Sequence, residues 1–392
     1  MTSIRETDIN PFMDSGQPEK LTDSIKSLSR KYGFQFCGVA PAVSPTGYHR
    51  FVDWIAAGNH GEMSYLQDRL AAYSHPASIL AEAKSIVMLG MNYYPGEAPS
   101  RKVGFGRVAR YAWGTVDYHD LIKQRLRMIE GELLQVFPNP RLRSVVDTAP
   151  LLEREFAQLA GIGWIGKNTM LINKRAGSYF FLAALLIDQE MKYDEPNQSN
   201  HCGTCRACLE ACPTQAFPEP GVLDATRCIS YLTIEHRTAI PEFLRDQIGD
   251  WLFGCDVCQE VCPWNRFSSQ TSEEAFSTDY AQLDLEGLLA MTEEEFRRVF
   301  RRTPMWRAKR RGMLRNAVIA LLNNPPPNAV RILGNALNDN EPLVREMAAW
   351  AMGRLRQPAA LPILQERQLR EGDEATRSAI QNALEHLQAA SS

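Results

Sequence analysis

No apolar run in this chain is long enough to cross a bilayer. The longest, Tyr179 to Ile187 (YFFLAALLI), is under half of the roughly 20 residues that a spanning helix needs. The opening residues, MTSIRETDINPFMDSG, are polar and lack the apolar centre of an export signal. Nucleotide-binding signatures are missing as well. In Gly161-Ile-Gly-Trp-Ile-Gly166-Lys167-Asn168-Thr169 the lysine is followed by asparagine and the phosphate-loop spacing is absent. No G-x-G-x-x-G follows a strand and opens a helix, so a nicotinamide site is unsupported. The Asp-x-His-x-x-Gly string of proteins that ligate cobalt through histidine is absent too: the nearest match, Asp117-Tyr-His119-Asp-Leu-Ile122, lacks the glycine. The net charge of −3 excludes a globally polycationic protein and leaves any polyanion site to local charge.

Cysteine, by contrast, is plentiful and gathered. Eight of the nine cysteines fall between Cys202 and Cys262, in two runs that each close on Cys-Pro. Cys202-Gly-Thr-Cys205-Arg-Ala-Cys208-Leu-Glu-Ala-Cys212-Pro213 matches the ferredoxin pattern C-x2-C-x2-C-x3-C-P, in which three thiolates hold one [4Fe–4S] cluster and the fourth reaches a second. One tight loop can cap three corners of a cubane, and the fourth needs a more distant cysteine. Cys202, Cys205, Cys208 and Cys262 are therefore expected on one cluster. Cys212, Cys228, Cys255 and Cys258 are expected on the other. Structural zinc usually takes two pairs of ligands a dozen or more residues apart, which eight cysteines oversupply. Disulfides would need an exporting signal. Oxygen-sensitive iron points instead to a reducing compartment, the cytoplasm. Cys37 reads as a buried small hydrophobe.

At 392 residues, with 44% hydrophobic and 23% charged residues, the chain has room for two or three domains of ordinary soluble composition. An α+β multi-domain protein is expected. Residues 1–194 read as an N-terminal α/β domain, in which short β-branched runs alternate with amphipathic stretches. Candidate strands are Phe34 to Ala40, Ser85 to Asn92, Ser144 to Asp147 and Tyr179 to Asp188, and candidate helices are Tyr48 to Ala57, Tyr118 to Val136 and Leu151 to Ala160. Residues 195–267 form a ferredoxin-like unit held by its clusters, followed by a polar linker near 270–280. Residues 281–392 read as all-α HEAT-like repeats: Arg315, Arg345 and Arg377 precede Ala/Leu-rich helices at spacings of 30 and 32 residues.

Two further features carry chemistry. Between Arg297 and Arg315 lie nine basic residues with no acid among them, interleaved with Phe300 and Trp306. They read either as a grip on a phosphate backbone or as a solvated helix face paired with Glu293, Glu294 and Glu295. Asp147 ends the apolar run Arg143-Ser-Val-Val-Asp147. At the carboxyl end of an α/β strand, beside a cofactor that excludes water, its pKa would rise and it would donate a proton. Alternatively, Asp147 or Thr148 caps the following helix.

The chain resembles the epoxyqueuosine reductase family. The likeness rests on Tyr111-Ala-Trp-Gly114, Asp117-Tyr-His119, Val146-Asp147-Thr-Ala-Pro-Leu-Leu-Glu-Arg154, Ala160-Gly-Ile-Gly-Trp-Ile-Gly-Lys-Asn168, both cysteine runs, Arg227-Cys-Ile-Ser-Tyr-Leu-Thr-Ile-Glu-His236 and Arg307-Ala-Lys-Arg-Arg-Gly-Met-Leu-Arg-Asn316. This resemblance implies a cobalamin held base-off, with no histidine on the cobalt, between the N-terminal α/β domain and the ferredoxin-like domain. It implies Asp147 as proton donor, cofactor contacts around Lys167, Asn168, Ser230 and Asp256, and epoxyqueuosine in the anticodon loop of tRNA as substrate. With the basic run, it nominates His236, Arg301, Arg302, Lys309, Arg310, Arg311 and Arg315 for tRNA. Tyr73 stands where relatives often carry arginine, which puts any phosphate contact there in doubt. A monomer served by an external electron donor, with no membrane, is expected. The competing reading is a cobalamin and iron–sulfur enzyme of the reductive dehalogenase type acting on a small molecule, although those enzymes usually carry an export signal.

Overall fold

The computed structural model describes residues 16–137 and 140–389. Residues 1–15, on which most of the export-signal expectation rests, lie outside them. Within the described part, the N-terminal region is built on a four-stranded sheet in the order Phe36–Pro41, Ser85–Asn92, Phe180–Ile187, Leu142–Val145. Every ladder in it is antiparallel. The expected α/β alternation of elements is present, but this antiparallel sheet overturns the α/β reading of the first domain. Period-two burial explains why direction was hidden. Val87, Leu89, Met91, Ala183 and Leu185 face one core under the helices Gln17–Lys31 and Tyr118–Val136. Ile86, Met88, Ala184 and Leu186 face another beneath Phe156 and Ala157 of the helix Glu153–Leu159. Strands covered on both faces read as continuous apolar runs whichever way they pair.

A second sheet ties the chain together. Phe105–Val108 pairs in parallel with Trp251–Phe253 from the cysteine-rich region and antiparallel with Gln282–Asp284. The polar stretch near 270–280, expected as a linker, is laid down on the protein: Phe276 is buried, and Thr271 N donates to Tyr94 O at 2.7 Å. Beyond it the helices Lys309–Asn323, Ala329–Ala336, Pro342–Leu355, Ala360–Gln368 and Glu374–Ala389 stack through small residues. A Cβ on Gly353 would sit 2.7 Å from Ala383 Cα, so that crossing tolerates only glycine. The same core includes Val108, Trp113, Leu232 and Phe253. The helical tail therefore shares buried surface with the cysteine-rich region. No helix among the described residues is long and apolar enough to cross a membrane.

Candidate active site and cluster cavity

All nine cysteines are free. Cys202, Cys205, Cys208 and Cys262 together line one cavity of about 220 Å³, whose other walls include Lys167, His201, Trp264 and Phe267. Burial raises the Cys208 thiol above its usual range, and the charges of Cys262 and Cys202 add to the effect. Cys258 is pushed well up by burial, then by Cys228 and Asp256, with Cys208 and Cys212 also within electrostatic reach. Cys255 likewise responds to burial and to Cys228 and Cys258. Cys202, Cys205, Cys208 and Cys262 thus share one cavity, and Cys228, Cys255 and Cys258 lie within electrostatic reach of one another. Among the described residues no three His, Cys, Asp or Glu groups are set to hold a single metal ion. Backbone amides also aim at sulfur: Ala216 N lies 3.3 Å from Cys212 Sγ, and the amides of Tyr231 and Ser230 donate to Cys228. Thiols crowded in low dielectric, with amide donors and no lysine or arginine among the leading influences, suit iron–sulfur cubanes that take up their charge.

The glycine-spaced loop serves this cavity. Its hairpin pairs Trp164–Ile165 with Leu171–Ile172. A Cβ on Gly163 would strike Ile172 O at 2.1 Å, so close backbone packing demands glycine there. Lys167 Nζ donates to Gly203 O (2.6 Å) and Cys205 O (2.9 Å), and Asn168 Nδ2 donates to Cys258 O at 3.3 Å. Both side chains, nominated for cobalamin, are engaged with the cysteine loops. Asp256 is engaged as well. It is 2% exposed, and its Oδ2 accepts from Arg110 N (2.8 Å) and Arg110 Nη1 (3.1 Å). Burial lifts its pKa to about 6 although Arg110 pulls the other way. This carboxylate ties the second cysteine run to Arg110. Ser230, half-buried on the helix Ile229–Ile234, contributes its amide to Cys228.

Asp147 lies just beyond the strand Leu142–Val145, in the left-handed region at φ 57°. That conformation costs a non-glycine residue about 1–3 kcal/mol unless its surroundings hold it. Here they do. Asp147 N donates to Glu153 Oε1 at 2.9 Å, and Arg69 Nη1 donates to Thr148 O at 3.0 Å. The Asp147 carboxylate, 65% exposed, accepts from Tyr118 OH (3.4 Å) and faces His119 Nε2 at 3.3 Å. His119 Nδ1 lies 2.7 Å from Asp117 Oδ1. The helix that follows has Leu152 as its N-cap and no side-chain cap, so the capping alternative for Asp147 and Thr148 is not realised.

The proton balance differs from expectation. The His119 hydrogen bond holds the Asp147 carboxyl below its ordinary range. Burial, reinforced by the Asp147 charge, lifts Glu153 to about 8. Burial disfavours the charged His119, but hydrogen bonds from Asp117 and Asp147 outweigh it and raise the imidazole to about 9. Near neutrality the site thus holds an ionised Asp147, a protonated His119 and a neutral Glu153. Tyr118, His119 and Glu153 were missed as site residues because only the fold brings them to Asp147. The aspartate two residues before His119 was the one local hint. Tyr73 packs against Phe51 with ring centroids 4.9 Å apart and feels the charges of Asp147 and Glu153, which places it in the same recess.

The basic run divides. Arg315 is fully buried and donates to Leu232 O, His236 O and Thr238 O. Arg310, 8% exposed, is bound to Met291 O and paired with Asp339. Neither can reach a phosphate. Buried among apolar neighbours, both need their donors satisfied inside the fold, a distinction that composition does not show. His236 is also occupied, with Nδ1 3.1 Å from Glu62 Oε1 and Nε2 3.1 Å from Ala239 O. Arg297, Arg298, Arg301, Arg302, Lys309 and Arg311 are exposed. The first four make no ion pair among the described residues, so pairing with Glu293, Glu294 and Glu295 does not occur. Lys309 Nζ sits 4.0 Å from the Trp306 ring centroid. Arg307 pairs bidentately with Glu235 (2.9 Å to each oxygen) and lies over Tyr65, within electrostatic reach of Asp147. The basic surface thus runs up to the recess.

Two thiol foursomes beside an acid-lined recess, carried on an antiparallel sheet with a helical-repeat tail, define an iron–sulfur redox protein. Residues 201–265 match the model for a 4Fe-4S double cluster binding domain, and residues 310–385 match HEAT repeats. Residues 74–148 match Epoxyqueuosine reductase QueG, DUF1730. The chain is 41% identical to epoxyqueuosine reductase of Pseudomonas aeruginosa over 345 residues, covering 86% of this chain and 95% of that one. It is 41% identical to that of Cyclobacterium marinum over 299 residues, 76% and 96% of the two chains. A solved epoxyqueuosine reductase with a tRNA-Tyr epoxyqueuosine-modified stem loop overlays with a TM-score of 0.88 at 31% identity, covering 94% of this chain and 99% of that one. The Bacillus subtilis enzyme, with its catalytic aspartate loop swung out of the active site, overlays with a TM-score of 0.84 at 30% identity over 94% and 99%. The chain belongs to the epoxyqueuosine reductase family.

Proposed function

We propose that this chain reduces epoxyqueuosine to queuosine in the anticodon loop of tRNA, the last step of queuosine formation. The observation that carries this reading is Asp147, set against Tyr118 and His119 and within electrostatic reach of Arg307, in a chain 94% covered by a stem-loop-bound relative. The eight cysteines would hold two [4Fe–4S] clusters, which would supply one-electron transfer from an external donor. Cobalamin, when bound, supplies the low-potential cobalt that delivers reducing equivalents to the epoxide. The recess suits a cobalamin without a histidine ligand, because both His119 nitrogens face carboxylates and neither is free for a metal. Protonated His119 hands its proton through the Asp147 carboxylate to the departing oxygen. Epoxide, two electrons and two protons give alkene and water. The nucleoside enters splayed from its loop, while Arg301, Arg302, Lys309 and Arg311 hold phosphates.

In this reading the work divides as 1–194 for cofactor and catalysis, 195–267 for electron transfer and 281–392 for tRNA, in a cytoplasmic monomer. Reductive dehalogenases overlay with TM-scores near 0.40 at 16% identity, too slight a likeness to argue from. The test is anaerobic reconstitution with iron, sulfide and cobalt analysis, followed by mass spectrometry of nucleosides from an epoxyqueuosine-bearing stem loop. Fully loaded protein that yields no queuosine overturns the proposal.

A further inference from the structure

The two cysteine foursomes differ in their access to solvent. Among the eight, Cys205 is exposed and the others are half-buried. The cavity it lines is bordered by an exposed apolar side chain, Phe267 (45%). Cations surround that opening. Lys167 and Arg266 line the cavity, with the Arg266 guanidinium 4.7 Å from the Phe267 ring centroid. Lys174 and Arg175 are exposed on the turn whose Ala176 O accepts from Ser268 Oγ at 2.9 Å. The carboxylates nearby do not cancel this charge. Glu210 is committed to Arg206 at 3.3 Å and Glu260 to Arg110 at 2.7 Å. Glu219 remains on the hairpin whose Gly221 N donates to Lys167 O. The result is a small apolar contact within a positive rim, directly over one redox site.

We propose that this face docks a small acidic one-electron carrier protein, which delivers electrons to the cluster held by Cys202, Cys205, Cys208 and Cys262. At each encounter the carrier's reduced flavin or iron–sulfur centre loses one electron and the cluster gains one. No bond forms, and the partners separate. Complementary charge speeds such an encounter and orients it, while the modest apolar contact allows rapid release. The inference rests on the two-cluster reading and not on the tRNA substrate, so its test contains no substrate.

Clusters in the reconstituted protein are reduced anaerobically in a stopped-flow spectrometer, in separate arms, by reduced ferredoxin, reduced flavodoxin and dithionite. Variants Lys174→Glu, Arg175→Glu and the double variant are used after iron and sulfide analysis shows both clusters loaded. The expected result is a carrier rate that falls with ionic strength and falls about tenfold further in the variants. Dithionite reduction and tRNA stem-loop affinity should stay at the unaltered protein's values, and binding of oxidised carrier should weaken in parallel. The arm that shows this behaviour identifies the carrier as flavin or iron–sulfur. Carrier rates that ignore both salt and charge reversal in both arms overturn the proposal. So does a loss of stem-loop binding with carrier reduction intact, which would make this an RNA-binding face.

Discussion

His119 is held between two carboxylates, with Nδ1 2.7 Å from Asp117 Oδ1 and Nε2 3.3 Å from Asp147 Oδ2. An imidazole so placed keeps its proton and orients it toward Asp147. Because the folded-state pKa of about 9 lies above the ordinary 6.5, the stabilisation is fully present below about 6.5. It is lost as pH rises through 9. Nuclear magnetic resonance titration of His119 should report a midpoint near 9, falling toward 6.5 in Asp117→Asn. A midpoint near 6.5 in the unaltered protein would remove the clamp.

Asp147→Asn keeps the shape of the side chain but removes the group that exchanges a proton with His119. Turnover should fall by about 10²–10⁴, while cluster content and cobalamin uptake remain unchanged. Full activity in this variant would take Asp147 out of the mechanism.

Glu153 accepts the backbone N–H of Asp147 and so holds that residue in its left-handed conformation. Its pKa is raised from 4.5 to about 8, so its contribution is present below 4.5 and lost as pH rises through about 8, when two carboxylates repel. Glu153→Gln retains a neutral acceptor and should keep the segment protected from hydrogen exchange beyond pH 8. Glu153→Ala should raise exchange at 146–149 at every pH. Equal protection in the two variants would show that Glu153 does not hold the loop.

Arg315 and Arg301 should separate stability from tRNA binding. Arg315→Ala strands three carbonyls and leaves a cavity, and should cost on the order of 3 kcal/mol in denaturant unfolding. Arg301→Ala and Arg302→Ala should leave unfolding within about 0.5 kcal/mol. Each should reduce the slope of log affinity against log salt by about 1 for a stem loop. A reversed pattern would move the tRNA surface elsewhere.

Much of this protein is written locally. The span Tyr118–Val136 matches the observed helix end to end, and Ser85–Asn92 matches its strand, because apolar period and turn residues act within a few neighbours. Direction of pairing in the first sheet was illegible, since an apolar run buried on both faces looks the same in parallel and antiparallel company. Arg310 and Arg315 could not be told from Arg301 and Arg302, because burial depends on what packs from elsewhere in the chain.

The sequence alone determined the iron-binding framework. Ligand spacing within a loop is short-range geometry, and eight thiols so spaced admit few other uses. Tertiary structure alone decided the proton inventory of the recess. It brought Asp117 and His119 from the start of one helix against Asp147 at the end of a strand 28 residues on, with Glu153 behind. A pKa responds to solvent and charge at a few ångströms in space, a distance that position along the chain does not measure.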